Sequence, residues 1–171
     1  MSKTIINTAD GSSTIYNKTL NEHYHSVNGA VTESECVYIN NGLTEVLKTN
    51  ANNTINILEV GLGTGLNALL TLAKINEMQV KVFYTALEPF TLKAIDVEQL
   101  NYCKLPDLFN FNDEFKEIHN HNGNDFLRLN NNLYFKNICI QVQNFNPLPF
   151  TFDIVYYDAF SPEVQPEMWT A

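Results

Sequence analysis

The residues with the clearest chemical potential form a glycine-rich turn, E-V-G-L-G-T-G, which runs from Glu59 to Gly65. An apolar run that predicts a strand precedes the turn, and a helical apolar pattern follows it. Glycines at positions 61, 63 and 65 permit a tight turn and let a ligand approach the backbone without meeting a Cβ atom. A purely structural turn is the alternative, and the glycines alone do not exclude it.

The spacing of this turn distinguishes two classes of ligand. A dinucleotide fingerprint has glycine at its first, third and sixth positions, but the sixth position here is Leu66. Glu59 would lie near a pyrophosphate and repel it, whereas an acid there suits a cationic ligand. S-adenosylmethionine (SAM) carries a sulfonium and an ammonium and has no phosphate. The turn therefore favours SAM over NAD.

A second acid, Glu88, ends the next predicted strand. A carboxylate at this place can accept both hydroxyls of a ribose in a bidentate contact. A solvated glutamate at a strand end is the alternative, but Pro89 fixes the turn where the ribose would lie. Together, the glycine turn and Glu88 indicate a class I methyltransferase.

A third acid, Asp158, follows the last predicted strand. It could orient an amine nucleophile and accept its proton, because an amine of lysine-like basicity is mostly protonated at neutral pH and only its free lone pair can attack. The alternative is an aspartate that caps a turn before Pro162. From this segment alone, both interpretations stay open.

The order of predicted elements explains how these residues could meet. The N-terminal lobe, residues 1–50, has a turn at Asp10 and Gly11, extended residues at 13–16 and 35–39, and a short helix at 42–48. From residue 51, strands and helices alternate: strands at 55–60, 80–87, 138–142 and 152–157, and helices at 66–73, 89–100 and 108–118. This order predicts an α/β, doubly wound, Rossmann-like sheet whose ligands bind beyond the carboxyl ends of its strands. The residues expected at the ligand site are therefore those that directly follow each strand: residues 61–65, Glu88, Gln143 with Asn144, and Asp158.

Composition and charge narrow the function further. The chain has 171 residues, ten basic against 19 acidic side chains and a formal net charge of -9. A protein that binds nucleic acid over its whole surface is therefore disfavoured. A local contact with nucleic acid, or binding through a partner that supplies the basic surface, remains an open alternative. No apolar run is long enough to span a membrane and no signal peptide is visible, so a cytoplasmic protein is expected.

Metal and disulfide chemistry are not expected. Cys36, Cys103 and Cys139 are isolated and lack C-x-x-C spacing, which fits idle thiols in a reducing compartment. The pairs H-Y-H at 23–25 and H-N-H at 119–121 have no further cysteine or histidine at ligand spacing, so ordinary loop histidines are the simpler interpretation.

Three long motifs carry a resemblance to a known family. They are residues 21–34 (N-E-H-Y-H-S, N-G-A and E-S within it), residues 59–70 with 87–90 (EVGLGTGLNALL and LEPF), and residues 152–169 (FDIVYYDAFSPEVQPEMW). These motifs resemble the MnmD-type tRNA methyltransferases, which also occur as the methyltransferase domain of bifunctional MnmC.

The resemblance implies SAM-dependent methylation of the aminomethyl group on the wobble uridine of tRNA, giving 5-methylaminomethyl-2-thiouridine. It also implies an FAD-dependent oxidoreductase partner that acts on the same uridine. Carried over by position, the cofactor residues are Glu59, Gly61, Gly63, Gly65, Asn67 and Glu88, with Gln143 and Asn144 where relatives have Gly-Asp to meet adenine. Asp158 would face the amine, and Tyr24, Ser26 and Glu33 would close over the site.

One departure concerns length. Family members continue beyond the position of Ala171 through strands that complete a seven-stranded sheet, so we expect a chain truncated after the fourth core strand. The parent protein can then be active while this fragment is not. A methyltransferase for a small amine or a protein, and a non-catalytic SAM-binding module, remain alternatives; a nicotinamide-dependent oxidoreductase is the weakest.

Overall fold

The computed structural model describes residues 3–49 and 53–169. Its strands are β1 (Lys3–Asn7), β2 (Ser13–Asn17), β3 (Glu22–His23), β4 (Thr54–Val60), β5 (Lys81–Leu87), β6 (Leu127–Arg128), β7 (Leu133–Ile138) and β8 (Ile154–Tyr157). Its α-helices are α1 (Ala30–Ser34), α2 (Thr44–Thr49), α3 (Leu66–Ile75), α4 (Ala94–Val97) and α5 (Asn112–Asn120), and a π-helical segment, Glu35–Leu43, joins α1 to α2. Short 3₁₀ turns lie at Tyr102–Lys104, Phe109–Phe111, Val142–Asn144 and Pro166–Met168. The predicted domain boundary at residues 50 and 51 lies outside the described residues.

The larger sheet has the strand order β6-β7-β5-β4-β8. Strands β7, β5, β4 and β8 are parallel, and only the two-residue β6 is antiparallel. In this register Val60 lies opposite both Leu87 and Tyr157, so β4, β5 and β8 end side by side. The glycine turn, Glu88 and Asp158 therefore leave the same edge of the sheet.

Helix α3 explains why the glycine turn is well anchored. Eight of its ten residues are buried, because it packs against the π-helical segment, α1 and α5. A helix that is apolar nearly all round belongs in an interior, and each fully buried leucine contributes about 1.5–3 kcal/mol to folding. The turn is thus held between a buried strand and a buried helix.

The N-terminal lobe is tied to α1 by hydrogen bonds from the loop between β1 and β2. Gly29, at the start of α1, has no side chain to cap the helix, so the loop supplies the missing acceptors. Asp10 Oδ2 accepts a hydrogen bond from the Thr32 amide at 2.8 Å, and Ser12 Oγ accepts from the Ala30 and Val31 amides at 3.2 Å each. A remote loop thereby satisfies the free amides of a helix N-terminus.

The prediction of an extended segment at residues 35–39 was wrong, because these residues are π-helical. The buried residues of the continuous helical stretch are Ala30, Ser34, Ile39 and Leu43. Their spacing of four, five and four residues contains the extra residue that a π-turn adds, and this residue keeps them on one buried face. The β-branched and aromatic composition of this segment favoured a strand only in the absence of that packing.

Two further elements lie elsewhere than predicted. The third core strand is β7, five residues before the predicted one, and its inward residues are Leu133, Phe135 and Asn137. Ile140 and Val142 instead pack in a small cluster at the carboxyl end of the sheet, and their apolar alternation imitates a strand. Pro89 does not begin a helix, since the next helix is α4 alone, and Pro89 remains in the turn after β5.

Candidate active site

A cavity of about 810 Å³ opens at the carboxyl ends of the parallel strands. This volume is typical of sites for small molecules and cofactors. Among the described residues, the acids that line it are Glu22, Glu33, Glu88, Asp158 and Glu167, and Lys3 is the one lysine. The charged groups of the lining are therefore mainly acidic, which suits a cationic ligand better than a phosphate.

The glycine turn forms the floor of this cavity. Gly61 has a φ of 88°, and a Cβ atom there would lie 2.5 Å from the backbone oxygen of Asp158. At Gly63, with φ 51°, a Cβ would lie 3.1 Å from the ring of Tyr24. Glycine is needed at both positions, because the turn passes close to the residues that face it across the cavity.

Thr64, in the same turn, is held by two histidines from opposite sides. His25 Nε2 lies 2.6 Å from Thr64 Oγ1, and His119 Nε2 donates to the Thr64 carbonyl oxygen at 3.0 Å. Burial lowers the pKa of each histidine to about 4, against the opposing effects of Glu33 on His25 and of the Thr64 carbonyl on His119. Both rings are therefore neutral at pH 7, and they fix the loop by hydrogen bonds rather than by charge.

Glu88 lies where the sequence predicted it, at the cavity wall. Its Oε2 accepts a hydrogen bond from the Gly63 amide at 3.0 Å, and its Oε1 accepts from the Phe90 amide at 2.8 Å. A carboxylate has about four lone-pair positions, so each oxygen can accept one further hydrogen bond. The backbone thus fixes the carboxylate and leaves it able to bind a pair of hydroxyls.

Asp158 lies on the opposite side of the glycine turn and also lines the cavity. Its Oδ1 accepts a hydrogen bond from the Tyr38 hydroxyl at 2.9 Å, and its Oδ2 accepts from Asn67 Nδ2 at 2.8 Å. Desolvation raises the pKa of Asp158, and these two donors offset part of that rise because they stabilise the carboxylate. The result is a fixed carboxyl group that takes up a proton more readily than a solvated aspartate.

Glu59, which the sequence predicted to hold the cofactor, does not line the cavity. It is fully buried, and its Oε1 accepts a hydrogen bond from Asn67 at 3.0 Å. Desolvation raises the pKa of Glu59 well above its usual value, and the neighbouring Asp158 raises it further. Burial therefore disfavours the charged form of Glu59, so this acid attracts a sulfonium less than a solvated carboxylate would.

Three more predicted cofactor residues do not line the cavity: Gly65, Asn67 and Asn144. Gly65 starts α3 against His119, and Asn67 is buried between two acids. Gln143 does line the cavity, and its Nε2 donates to the Glu167 carbonyl oxygen at 2.7 Å. Of the two residues predicted to meet adenine, Gln143 lines the cavity and Asn144 does not.

The predicted lid residues Tyr24, Ser26 and Glu33 all line the cavity. Glu33 Oε2 accepts a hydrogen bond from the Ser26 amide at 2.8 Å, which ties α1 to the segment before it. The Tyr24 ring packs edge-on against Phe160, with ring centroids 5.0 Å apart. Burial raises the pKa of Tyr24 to about 12, with added effects from Glu88 and Asp96, so its hydroxyl stays protonated.

Sequence reasoning missed Tyr38, His25 and Phe160 as site residues. Tyr38 lay within the segment predicted to be extended, and His25 was taken for an ordinary loop histidine. Phe160 follows Asp158 by two residues in the same motif, and only this proximity could have indicated it.

Neither a metal-binding cluster nor a membrane-spanning helix is found in the part of the chain that the structure describes. No group of three or more histidine, cysteine or acidic side chains there is arranged to hold a metal ion. Within the same residues, no helix is both long and apolar enough to cross a bilayer.

The chain is similar to known proteins in sequence and in fold. Residues 102–171 match the family described as S-adenosyl-L-methionine-dependent methyltransferase. The chain is 30% identical over 164 residues to the tRNA 5-methylaminomethyl-2-thiouridine biosynthesis bifunctional protein MnmC of Campylobacter fetus subsp. fetus (strain 82-40), a match that covers 91% of this chain and 25% of that protein. The crystal structure of MNMC2 from Aquifex aeolicus superposes with a TM-score of 0.74 at 26% identity, covering 99% of this chain and 53% of that one.

These matches confirm the predicted resemblance and the predicted fold class, and the family that residues 102–171 match is SAM-dependent. The chain spans about a quarter of the curated relative and about half of the solved structure.

Proposed function

We propose that this chain provides the SAM site and the amine-facing acid of a methyltransferase that acts on the aminomethyl group of a wobble uridine in tRNA. The product is 5-methylaminomethyl-2-thiouridine. The observation that carries the proposal is the placement of Glu88 and Asp158 on either side of the Gly61–Gly63 floor of one acidic cavity. The similarity to MnmC supports the choice of substrate.

The cavity fits SAM by its shape and its charge. The turn below the cavity carries no side chain at Gly61 and Gly63, and Glu88 offers two fixed oxygens to the ribose hydroxyls. Gln143 and the exposed Phe90 are the remaining groups we assign to the adenine end. Glu59 and Asn67 contribute from behind the floor, through Asp158, rather than by touching the cofactor.

When bound, SAM supplies a methyl group on a positively charged sulfur, which an amine lone pair can attack. Asp158 accepts a hydrogen bond, and then a proton, from the substrate ammonium, which frees that lone pair. Its raised pKa makes it a better proton acceptor than a solvated aspartate. We assign Tyr24, Ser26 and Glu33, which line the cavity, to closing over the site. Positioning and electrostatics supply most of the rate.

The tRNA and a second enzyme complete the proposal. With a net charge of -9, the chain needs basic surface from elsewhere to hold a tRNA backbone. We assign that surface to additional polypeptide or to an FAD-dependent oxidoreductase partner that acts on the same uridine, in the cytoplasm. The MnmC relative is a bifunctional protein, which supports a paired activity.

The acidic surface also favours a second candidate, the methylation of a small amine or a protein. The test combines labelled SAM with tRNA that carries the unmethylated aminomethyl uridine, followed by nucleoside analysis by mass spectrometry. Label in 5-methylaminomethyl-2-thiouridine supports the proposal, and label on added amines or proteins instead supports the second candidate. SAM binding in calorimetry without transfer to any acceptor would indicate a non-catalytic module.

A further inference from the structure

Tyr38 reaches Asp158 from a distant part of the chain. The two residues are 120 positions apart, and the Tyr38 hydroxyl lies 2.9 Å from Asp158 Oδ1 and 3.3 Å from the Tyr157 carbonyl oxygen. Tyr38 belongs to the π-helical segment Glu35–Leu43, and its ring packs against Tyr156 with centroids 5.1 Å apart. π-Helical turns are rare and frequently occur at functional sites, where they reorient a side chain.

The other oxygen of Asp158 is held by an amide whose orientation is fixed. Both protons of Asn67 Nδ2 are used, one by Glu59 Oε1 at 3.0 Å and one by Asp158 Oδ2 at 2.8 Å. The Asn67 amide thus bridges the two carboxyl groups. The buried Glu59 carboxyl therefore fixes the amide that holds Asp158.

We infer that Tyr38 and Asn67 are positioning residues that hold the Asp158 carboxylate in one orientation toward the cavity, with Glu59 fixing the Asn67 amide. This inference rests on the proposed function, in which Asp158 is the acid that meets the amine. Each Asp158 oxygen accepts one hydrogen bond, from Tyr38 or from Asn67, and has a second lone pair that a ligand can bind. The carboxylate is thereby oriented before any substrate arrives, which reduces the reorganisation that the reaction requires.

The groups that influence this cluster electrostatically come from every element packed around it. They are Glu33 and Tyr38 of the N-terminal helical stretch, Glu59 of β4, Tyr84 of β5 with Glu88 after it, Tyr102, and Tyr156 of β8. None of these groups is a cation. The hydrogen bonds from Tyr38 and Asn67 are thus the interactions that favour the charged form of Asp158 against its burial.

The decisive variant is Tyr38→Phe, which removes the hydroxyl and keeps the ring. We expect kcat to fall about tenfold, with the SAM dissociation constant unchanged in calorimetry. The acidic limb of the pH–rate profile should move up by about one pH unit, because the carboxylate loses a donor that stabilises it. The matched control is Tyr134→Phe, in a ring stacked on Phe83 away from the cavity, which should change neither quantity.

Glu59 supplies a second, independent test. Glu59→Gln keeps an oxygen that can accept from Asn67, so kcat should stay within about twofold of the wild type. Glu59→Leu has similar size but no acceptor, and kcat should fall by about 10–100-fold as the Asp158 carboxylate loses its fixed geometry. Equal kcat values in the two variants would show that an acceptor at position 59 does not matter, and would overturn its part of the inference.

A readout independent of turnover separates this inference from the proposed function. The pKa of Asp158 can be followed by NMR of carboxyl carbons in protein labelled at aspartate, assigned with Asp158→Asn. An upward shift in Tyr38→Phe supports the positioning role even if no acceptor is methylated. An unchanged Asp158 pKa, in protein that melts like the wild type, overturns it even if the tRNA is methylated.

Discussion

Asp10 and Asp158 are both held by several hydrogen bonds, yet they serve opposite purposes. Asp10, in an exposed loop, accepts from Thr8 Oγ1 at 2.7 Å, from the Ser12 amide and hydroxyl, and from the Thr32 amide and hydroxyl. Asp158, at the cavity, accepts from two side chains. The lone pairs of Asp10 are thus occupied by donors within the protein, whereas Asp158 has lone pairs left that a ligand can bind.

The protonation of the two aspartates follows the same division. Desolvation raises the pKa of Asp10, but the hydrogen bonds from Ser12, Thr32 and Thr8 outweigh it and hold that pKa well below its usual value. For Asp158 desolvation wins, and the pKa is raised. The balance between the number of hydrogen-bond donors and the degree of burial therefore separates the two aspartates. Asp10 fixes a loop, whereas Asp158 is available for proton transfer.

The largest effect that would test this contrast is expected for Asp158→Asn. The amide cannot accept a proton, so turnover should fall by about 10²–10⁴-fold, while SAM affinity and thermal stability change little. The measurement is single-turnover transfer from labelled SAM to tRNA, with calorimetry on the same sample. Activity near the wild-type level would place the proton acceptor elsewhere and leave Asp158 as a turn residue.

Glu88→Gln should have the next largest effect, and on a different quantity. Loss of the charge weakens the hydrogen bonds to a ribose by about 1.5–3 kcal/mol, so the SAM dissociation constant should rise by about 10–100-fold. The Gly63 and Phe90 amides can still bond to the remaining amide oxygen in part, so the fold should persist. A matched control is Glu98→Gln on the protein surface, and equal SAM affinity in both variants would remove the ribose role of Glu88.

The residues at the strand ends could be predicted from the sequence, whereas the residues that support them from elsewhere in the chain could not. The glycine turn, Glu88 and Asp158 could be predicted because a buried parallel strand is a local apolar run, and ligands gather where such runs end. Tyr38 could not, because its partner is 120 residues away and a π-turn, rather than the composition, brings them together. Glu59 was assigned to the ligand because its place in the turn is local information, whereas its burial depends on α3 packing over it.

For the stapling aspartate, Asp10→Ala should cost stability rather than chemistry. The loop would lose its acceptor for the Thr32 amide at the start of α1, and lost helix caps typically destabilise by about 0.5–2 kcal/mol. Denaturant unfolding measures this, with Asp107→Ala, in an exposed loop, as the control. A folded Asp10→Ala protein should keep its single-turnover rate. A loss of rate without a loss of stability would contradict the assignment of a purely structural role to Asp10.

His25 connects the two regions, since it lies between the lobe that Asp10 staples and the loop that Asp158 faces. Its amide donates to Thr14 Oγ1 at 2.9 Å, and its ring contacts Thr64. The pKa of His25 is about 4 in the folded protein, so between pH 6.5 and 4 the unfolded chain binds a proton that the folded protein excludes. Stability from this group is thus complete above pH 6.5 and declines as the pH falls.

The variant His25→Gln removes this titration and isolates it from the opposing contributions of Glu59 and Asp158, whose pKa values are raised. The stability difference between wild type and variant should therefore be largest above pH 6.5. It should shrink by at most about 1.4 kcal/mol per pH unit as the pH falls toward 4, in urea unfolding at a series of pH values. His119→Gln should show the same direction, because its pKa is also about 4. A difference that does not change with pH would mean that the ring of His25 is hydrated in solution, and that the lobe does not close over Thr64 as tightly as the 2.6 Å contact implies.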